Sequence, residues 1–325
     1  MPTKIPWVVN PDGSPGETWN PIVGCTAISP GCLNCYPARQ ASTRLAHLPD
    51  YKGLAKDGKW TAGPRFLPGR LDEPLHRRKP TGYFVCDMGD LFHEGVADEQ
   101  IAAVFGVMAA CPQHRFYVLT KRAARMRLIG STQFRCMVRD RLNKILERQR
   151  KPYRWPEDEV PGPPHLWFLP NVWLGVTVED QCAAGNRIAD LLAPTAAVRF
   201  LSCEPLLAPV ALPEAAMMNC RECGNAGSAH LEVGYDAYAT SLCRKACVKR
   251  GEGPFVDWVI VGAESGPHAR PCALDWVRSI VRQCADAGVP CFVKQIHLDS
   301  DPRRLSRDPA EWPAWARVRQ FPEAP

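Results

Sequence analysis

The sequence predicts an α/β fold, a partial (β/α) barrel of TIM type interrupted by an inserted cysteine-rich zinc module. Three observations predict it. Seven short β-rich runs alternate with stretches of helical periodicity, the runs are apolar almost throughout, and no Gly-rich dinucleotide fingerprint follows the first of them. Alternation of this kind calls for parallel strands covered by helices, and the missing fingerprint removes the main reason to prefer an open doubly wound sheet.

The first strand is expected in TWNPIVG (18–24). The others follow in GYFVC (82–86), HRFYVLT (114–120), NVWLGVTV (171–178), AVRFLS (197–202), DWVIVG (257–262) and PCFVKQ (290–295). Helices are expected over 98–110, 133–149, 180–193 and 273–287, with acidic residues near several starts, where the helix dipole favours them. Residues 48–80, rich in Gly, Pro, Lys and Arg, and 151–170, rich in Pro and Trp, read as loops over the barrel mouth or its rim. The expected division is a first barrel part over 1–212, an inserted module over 213–253, a last barrel part over 254–300, and a tail over 301–325 with no clear element.

At 325 residues and 46% hydrophobic content the chain has enough apolar surface for a large core. A formal charge of +6 permits an anionic partner but falls short of a dedicated nucleic-acid-binding domain. The N-terminal MPTKIPWVVNPDG has no signal-peptide core, and no stretch approaches the roughly 20 apolar residues of a membrane span. A cytoplasmic protein without membrane contact is therefore expected. In a reducing compartment, clustered members of the fifteen cysteines point to metal binding. The scattered ones, Cys86, Cys111, Cys136, Cys182, Cys203, Cys272, Cys284 and Cys291, read as small buried hydrophobes.

Barrels gather function where strands end. Those ends are polar throughout: Cys25/Cys32/Cys35, Asp87/Asp90/His93, Thr120/Lys121/Arg122, Thr177/Glu179, Ser202/Glu204, Glu264/Ser265 and Lys294/Gln295. The triplet has the spacing C-x6-C-x2-C, one thiolate short of a closed zinc site or a fully ligated cluster. Three readings stand: a cubane with one open iron, a structural zinc completed by Cys86 or His93, or unligated thiols. A second group, Cys220-x2-Cys223 and Cys243-x3-Cys247 separated by nineteen residues, has zinc-ribbon spacing. Zinc is expected there, with a second iron–sulfur cluster or free thiols as the alternatives. The surrounding Arg221, Arg244, Lys245, Lys249 and Arg250 face either phosphates or solvent.

Several of these segments, in order, resemble a phage-associated three-cysteine-motif family: TWNP, GC, SPGC and CY, then CDMGDLFHE, SCEPLL, GAESG with ARP, and FVKQ. The likeness runs from about residue 17 to 297, outside the cysteine-rich insertion. That family looks related to radical SAM enzymes, whose partial barrels carry a cysteine triplet after the first strand. The resemblance implies that Cys25, Cys32 and Cys35 hold a [4Fe-4S] cluster and that S-adenosylmethionine (SAM) chelates the open iron. An external reductant would supply the electron. The first gap is six residues here and three in the usual motif, whereas the C-x2-C pair and the aromatic Tyr36 after it match.

The same resemblance places Asp90, in Met88-Gly89-Asp90, against the SAM amino group, with a helix N-cap as the alternative. Glu179, Ser202, Glu204 and Lys294 are the other candidates for cofactor contact or catalysis. Glu179 and Glu204 would meet ribose or substrate, or else pair with Lys121, Arg122 or Lys294. The cations Lys121, Arg122, Arg270 and Lys294 either draw in a nucleic-acid or nucleotide substrate or neutralise the carboxylates around them. Two other functional readings stand beside the radical enzyme: a non-enzymatic, metal-stabilised nucleic-acid-binding protein, and an iron–sulfur Lewis-acid enzyme that does not use SAM.

Overall fold

The computed structural model describes residues 2–150, 169–217, 229–231, 251–252, 255–298 and 301–323. Its centre is an eight-stranded sheet in which spatial order follows chain order. The strands are β1 (Glu17–Trp19), β2 (Gly82–Val85), β3 (Arg115–Thr120), β4 (Val172–Thr177), β5 (Val198–Cys203), β6 (Trp258–Gly262), β7 (Cys291–Leu298) and β8 (Asp301–Ser306). The first seven run parallel, and β8 returns antiparallel along β7.

All seven expected runs are strands, and two details differ from expectation. The first run breaks at Pro21, which has no N–H to continue a ladder. Beyond it Ile22–Val23 leaves the sheet and pairs antiparallel with Arg65–Phe66. The tail, expected to carry no element, supplies β8. Its polar sequence suits an edge strand, which needs few apolar side chains, and Leu305 packs on the core. Strands β1 and β8 lie at opposite edges, so no closed barrel forms among the described residues.

Five helices matter for the site: α1 (Tyr36–Ser42), α2 (Asp98–Ala109), α3 (Thr132–Gln149), α4 (Gln181–Leu192) and α5 (Leu274–Ala287). The last four occupy the expected ranges because apolar residues recur on one face, as with Phe134, Val138, Leu142 and Ile145 of α3. Ser131 caps α3 by accepting from the Phe134 amide at 3.1 Å, and Asp180 caps α4 by accepting from Ala183 at 2.8 Å. Gly288 closes α5 in the left-handed region, with φ 62°.

Strand alternation separates two apolar layers. Val85, Val118, Leu174, Leu201, Val259 and Val293 join the four long helices in one large cluster. Phe84, Tyr117, Trp173, Phe200, Trp258 and Phe292 face the other way and make an aromatic layer. Trp7 sits among these rings, with centroids 5.0 Å from Phe84, 5.8 Å from Tyr117, 6.0 Å from Phe200 and 6.2 Å from Trp258. Gly82 permits this approach, since a Cβ there would lie 2.0 Å from the Val9 carbonyl oxygen.

Six of the scattered cysteines are buried as expected; Cys136 is half-buried and Cys182 is exposed. Both lie away from the apolar stripes of their helices, where Ala184, Ile188 and Leu191 define the buried side of α4. Cys220, Cys223, Cys243 and Cys247, with the basic residues around them, lie outside the described residues. No helix among the described residues is long and apolar enough to cross a membrane.

Candidate functional site

The cysteine loop occupies the C-terminal ends of the parallel strands. Gly24, at φ 87°, donates its amide to the Met88 carbonyl at 2.9 Å and turns the chain into Cys25. A 3-10 turn over Pro30–Cys32 follows, and Cys35 is the N-cap residue of α1. Cys25, Cys32 and Cys35 form no disulfide and are all partly exposed. Burial, with Asp90 nearby, pushes the Cys25 thiol up to about 12 against the pull of Arg122. Burial also raises the Cys35 thiol. A metal bound through these sulfurs would have to displace their protons.

Three carboxylate–arginine pairs, each rooted at a strand end, grip the loop. Beyond β2, Asp90 accepts from Arg122 Nη1 at 3.2 Å. The same guanidinium donates to Glu94 at 2.8 Å, to the Thr26 carbonyl at 3.1 Å, to Thr26 Oγ1 at 2.9 Å and to Cys25 Sγ at 3.4 Å. Beyond β4, the fully buried Glu179 accepts from Arg187 Nη1 at 2.7 Å and from the Ser29 hydroxyl. Beyond β6, Glu264 accepts from Arg270 Nε at 2.9 Å and from Asn34 Nδ2 at 2.9 Å, while Arg270 Nη1 donates to the Pro30 carbonyl at 2.9 Å. The loop is thus held near Cys25, near Cys32 and near Cys35. Gly31 lies so close that a Cβ would be 3.0 Å from Glu179 Oε1.

Burial opposes ionisation of Glu179 and of Glu264. In Glu179 the cations Lys121 and Arg187 outweigh it, and in Glu264 the bonds from Arg270 do, so both carboxyls sit below their ordinary range. The expected alternative partners of Glu179 were Lys121, Arg122 and Lys294; its ion pair is made with Arg187. That residue was missed because an arginine on the buried side of an amphipathic helix reads as a surface cation. Its signal was position, since Arg187 lies eight residues past Glu179 on the second turn of α4, the helix that begins just beyond it.

Asp90 is fully engaged. Its Oδ1 accepts from the Phe92 amide at 3.0 Å and Thr120 Oγ1 at 2.7 Å, and its Oδ2 from the Lys121 amide at 3.3 Å and from Arg122. It caps no long helix, and orienting Arg122 is what its geometry accomplishes. Glu204 is less enclosed. Its Oε1 accepts from Lys294 Nζ and, at 3.3 Å, from Gln295 Nε2, and no bond to Oε2 forms among the described residues. Ser202 is buried near the end of β5, two positions before Glu204 in the chain.

The expected cationic face is largely neutralised. Arg122, Arg270 and Lys294 are all ion-paired, and of the four only Lys121 has no ion pair among the described residues. No three His, Cys, Asp or Glu side chains among the described residues converge on a single-ion position. His93, once a candidate fourth zinc ligand, accepts from the Gly95 amide at Nδ1 and bonds Thr26 Oγ1 through Nε2. The thiols do suit a polynuclear cluster chemically, since each thiolate then binds a different iron.

A protein-family profile matches residues 3–307, a span that takes in the whole sheet up to β8, the cysteine loop and the three clamps. No curated protein matches the chain. By that match the chain belongs to the family described as "Protein of unknown function (DUF5131)".

Proposed function

We propose that the chain is an iron–sulfur enzyme of the radical SAM type, built on a partial barrel, in which Cys25, Cys32 and Cys35 hold a [4Fe-4S] cluster. The observation that carries this reading is the fixed loop: three thiols outside any disulfide, on one turn at the strand ends, gripped from three directions by carboxylate–arginine pairs. When bound and reduced, such a cluster supplies one electron to the sulfonium of SAM and so breaks a carbon–sulfur bond.

The chain's own residues divide into two roles. Asp90, Glu179 and Glu264 position the loop, their acceptor atoms already engaged. Ligand contact falls to Glu204, whose Oε2 is open to a ribose or substrate hydroxyl, with Lys294 holding the carboxylate in place, and to Ser202, two positions earlier on β5. A phosphate-bearing substrate, nucleotide or nucleic acid, remains part of the proposal on the narrower ground of Lys121. Its charge faces both Glu179 and Cys35 without an ion-pair partner among the described residues. The four cysteines at 220, 223, 243 and 247 are assigned a structural zinc by their spacing.

Anaerobic purification with metal analysis tests the reading. The protein should carry about four irons with the charge-transfer absorption of a cubane. It should lose them when Cys25, Cys32 and Cys35 become Ala, and with a reductant it should convert SAM to 5′-deoxyadenosine and methionine. Iron retained in the triple variant sinks the cluster assignment. An intact cluster that neither binds nor cleaves SAM sinks the SAM chemistry and leaves an open iron acting as a Lewis acid.

A further inference from the structure

Arg122 is the one guanidinium among the described residues that donates to a cysteine of the triplet, with Nη1 3.4 Å from Cys25 Sγ. Its side chain is 3% exposed, and every other direction of the fork is occupied. Asp90 takes Nη1, Glu94 takes Nε, and the carbonyl and hydroxyl of Thr26 take Nη2. The guanidinium therefore has no freedom to turn away from the sulfur. The hydrogen-bond partners of the other two thiols are uncharged: the Ser29 hydroxyl lies 3.7 Å from Cys32 Sγ, and Cys35 meets the Ala38 amide and the Trp60 side chain.

We infer that Arg122 is a positioning residue that sets the reduction potential of the cluster through a directed N–H···S bond to Cys25. The inference rests on the cluster reading above and goes beyond it. Reduction adds negative charge to a cluster and to its thiolates, so a donor aimed at one thiolate stabilises the reduced form more than the oxidised form and raises the potential. The bond acts here together with the charge. Asp90 and Glu94 offset the cation at longer range, while at Cys25 the guanidinium still acts both by its charge and by an oriented N–H. Among the three, Cys25 alone is bonded by a guanidinium, which would bias the electron density of the cluster toward that ligand.

Two measurements test this. Arg122→Lys keeps the charge beside Asp90 but loses the fork. At a fixed poise its cluster should show at least a tenfold lower ratio of reduced to oxidised form, which for a one-electron couple is 59 mV toward lower potential. The second uses wild-type protein labelled with 15N-arginine, so it does not depend on a variant that folds. Pulsed EPR of the reduced cluster should show a 15N coupling from arginine, and Arg122→Lys should abolish it. An unchanged ratio in a cluster-bearing variant, or no arginine coupling in the wild type, overturns the role of Arg122 while leaving the cluster in place. A protein that assembles no cluster overturns both the enzyme reading and this inference.

Discussion

Removing the Glu179 carboxylate should destabilise the fold by about 3 kcal/mol, and removing Arg187 with it should restore most of the loss. Glu179 has no exposed surface, and Arg187 Nη1 donates to it at 2.7 Å. Breaking one side of a buried ion pair costs about 3–5 kcal/mol, because the remaining charge is left uncompensated. The lower end applies here, since Arg187 keeps a 2.8 Å bond to the Thr177 carbonyl. Glu179→Leu should therefore lower the urea midpoint at unchanged slope, followed by tryptophan fluorescence. The double variant Glu179→Leu, Arg187→Met should come within about 1 kcal/mol of wild type, as paired apolar replacements often do. The carboxyl also predicts an acid dependence. Its folded pKa is depressed, so its contribution is present above the ordinary carboxylate range of about 4.3 and is lost as pH falls through the lower folded value. The stability gap between wild type and Glu179→Gln should close on acidification below about pH 4. A single variant within 1 kcal/mol of wild type, or a double variant no better than the single, refutes the clamp.

Three further outcomes are expected. Trp7→Ala should cost about 3–5 kcal/mol in thermal or urea unfolding, since it empties the centre of the aromatic layer; a loss under 1 kcal/mol would show that the N-terminal segment does not seat there. Replacing Cys220 and Cys243 by Ala should remove about one zinc per chain and leave the iron untouched, and iron in place of zinc would identify a second cluster. Binding of a mixed-sequence oligonucleotide should weaken with salt and again with Lys121→Ala; affinity that ignores salt would favour a small-molecule substrate.

The strands and long helices were legible because their signal is local. Each strand is a short apolar run and each helix an apolar stripe, so the residues that define the element are neighbours in the chain. The cysteine loop was legible for the same reason, three thiols lying within eleven positions. What holds the loop was not. Ser29 meets Glu179 across 150 positions and Asn34 meets Glu264 across 230, and no periodicity records such a meeting. Charge reading left two alternatives open, attraction of a substrate or neutralisation of nearby carboxylates, for a related reason. Arg122, Arg270 and Lys294 look like a cationic surface when counted, and only their geometry shows each one matched to a carboxylate. The edge strand β8 escaped because an exposed edge needs no apolar run.

Trp7 also has a consequence for how the chain acquires its structure. Its ring touches Phe84, Tyr117 and Phe200, but also Trp258, and Trp258 in turn packs against Phe321 at 5.3 Å. On the ribosome the Trp7 segment emerges before the strands that receive it, and its seat is incomplete until the sixth strand has been made. The helix-covered side of the sheet can grow strand by strand as synthesis proceeds, each step local. The aromatic side cannot, and its closure waits for Trp258. A nascent chain therefore carries a large unpaired indole, and the growing face meant to receive it, until that strand has emerged. That interval is when a holding chaperone has the most to bind and when misassembly between neighbouring nascent chains is most costly.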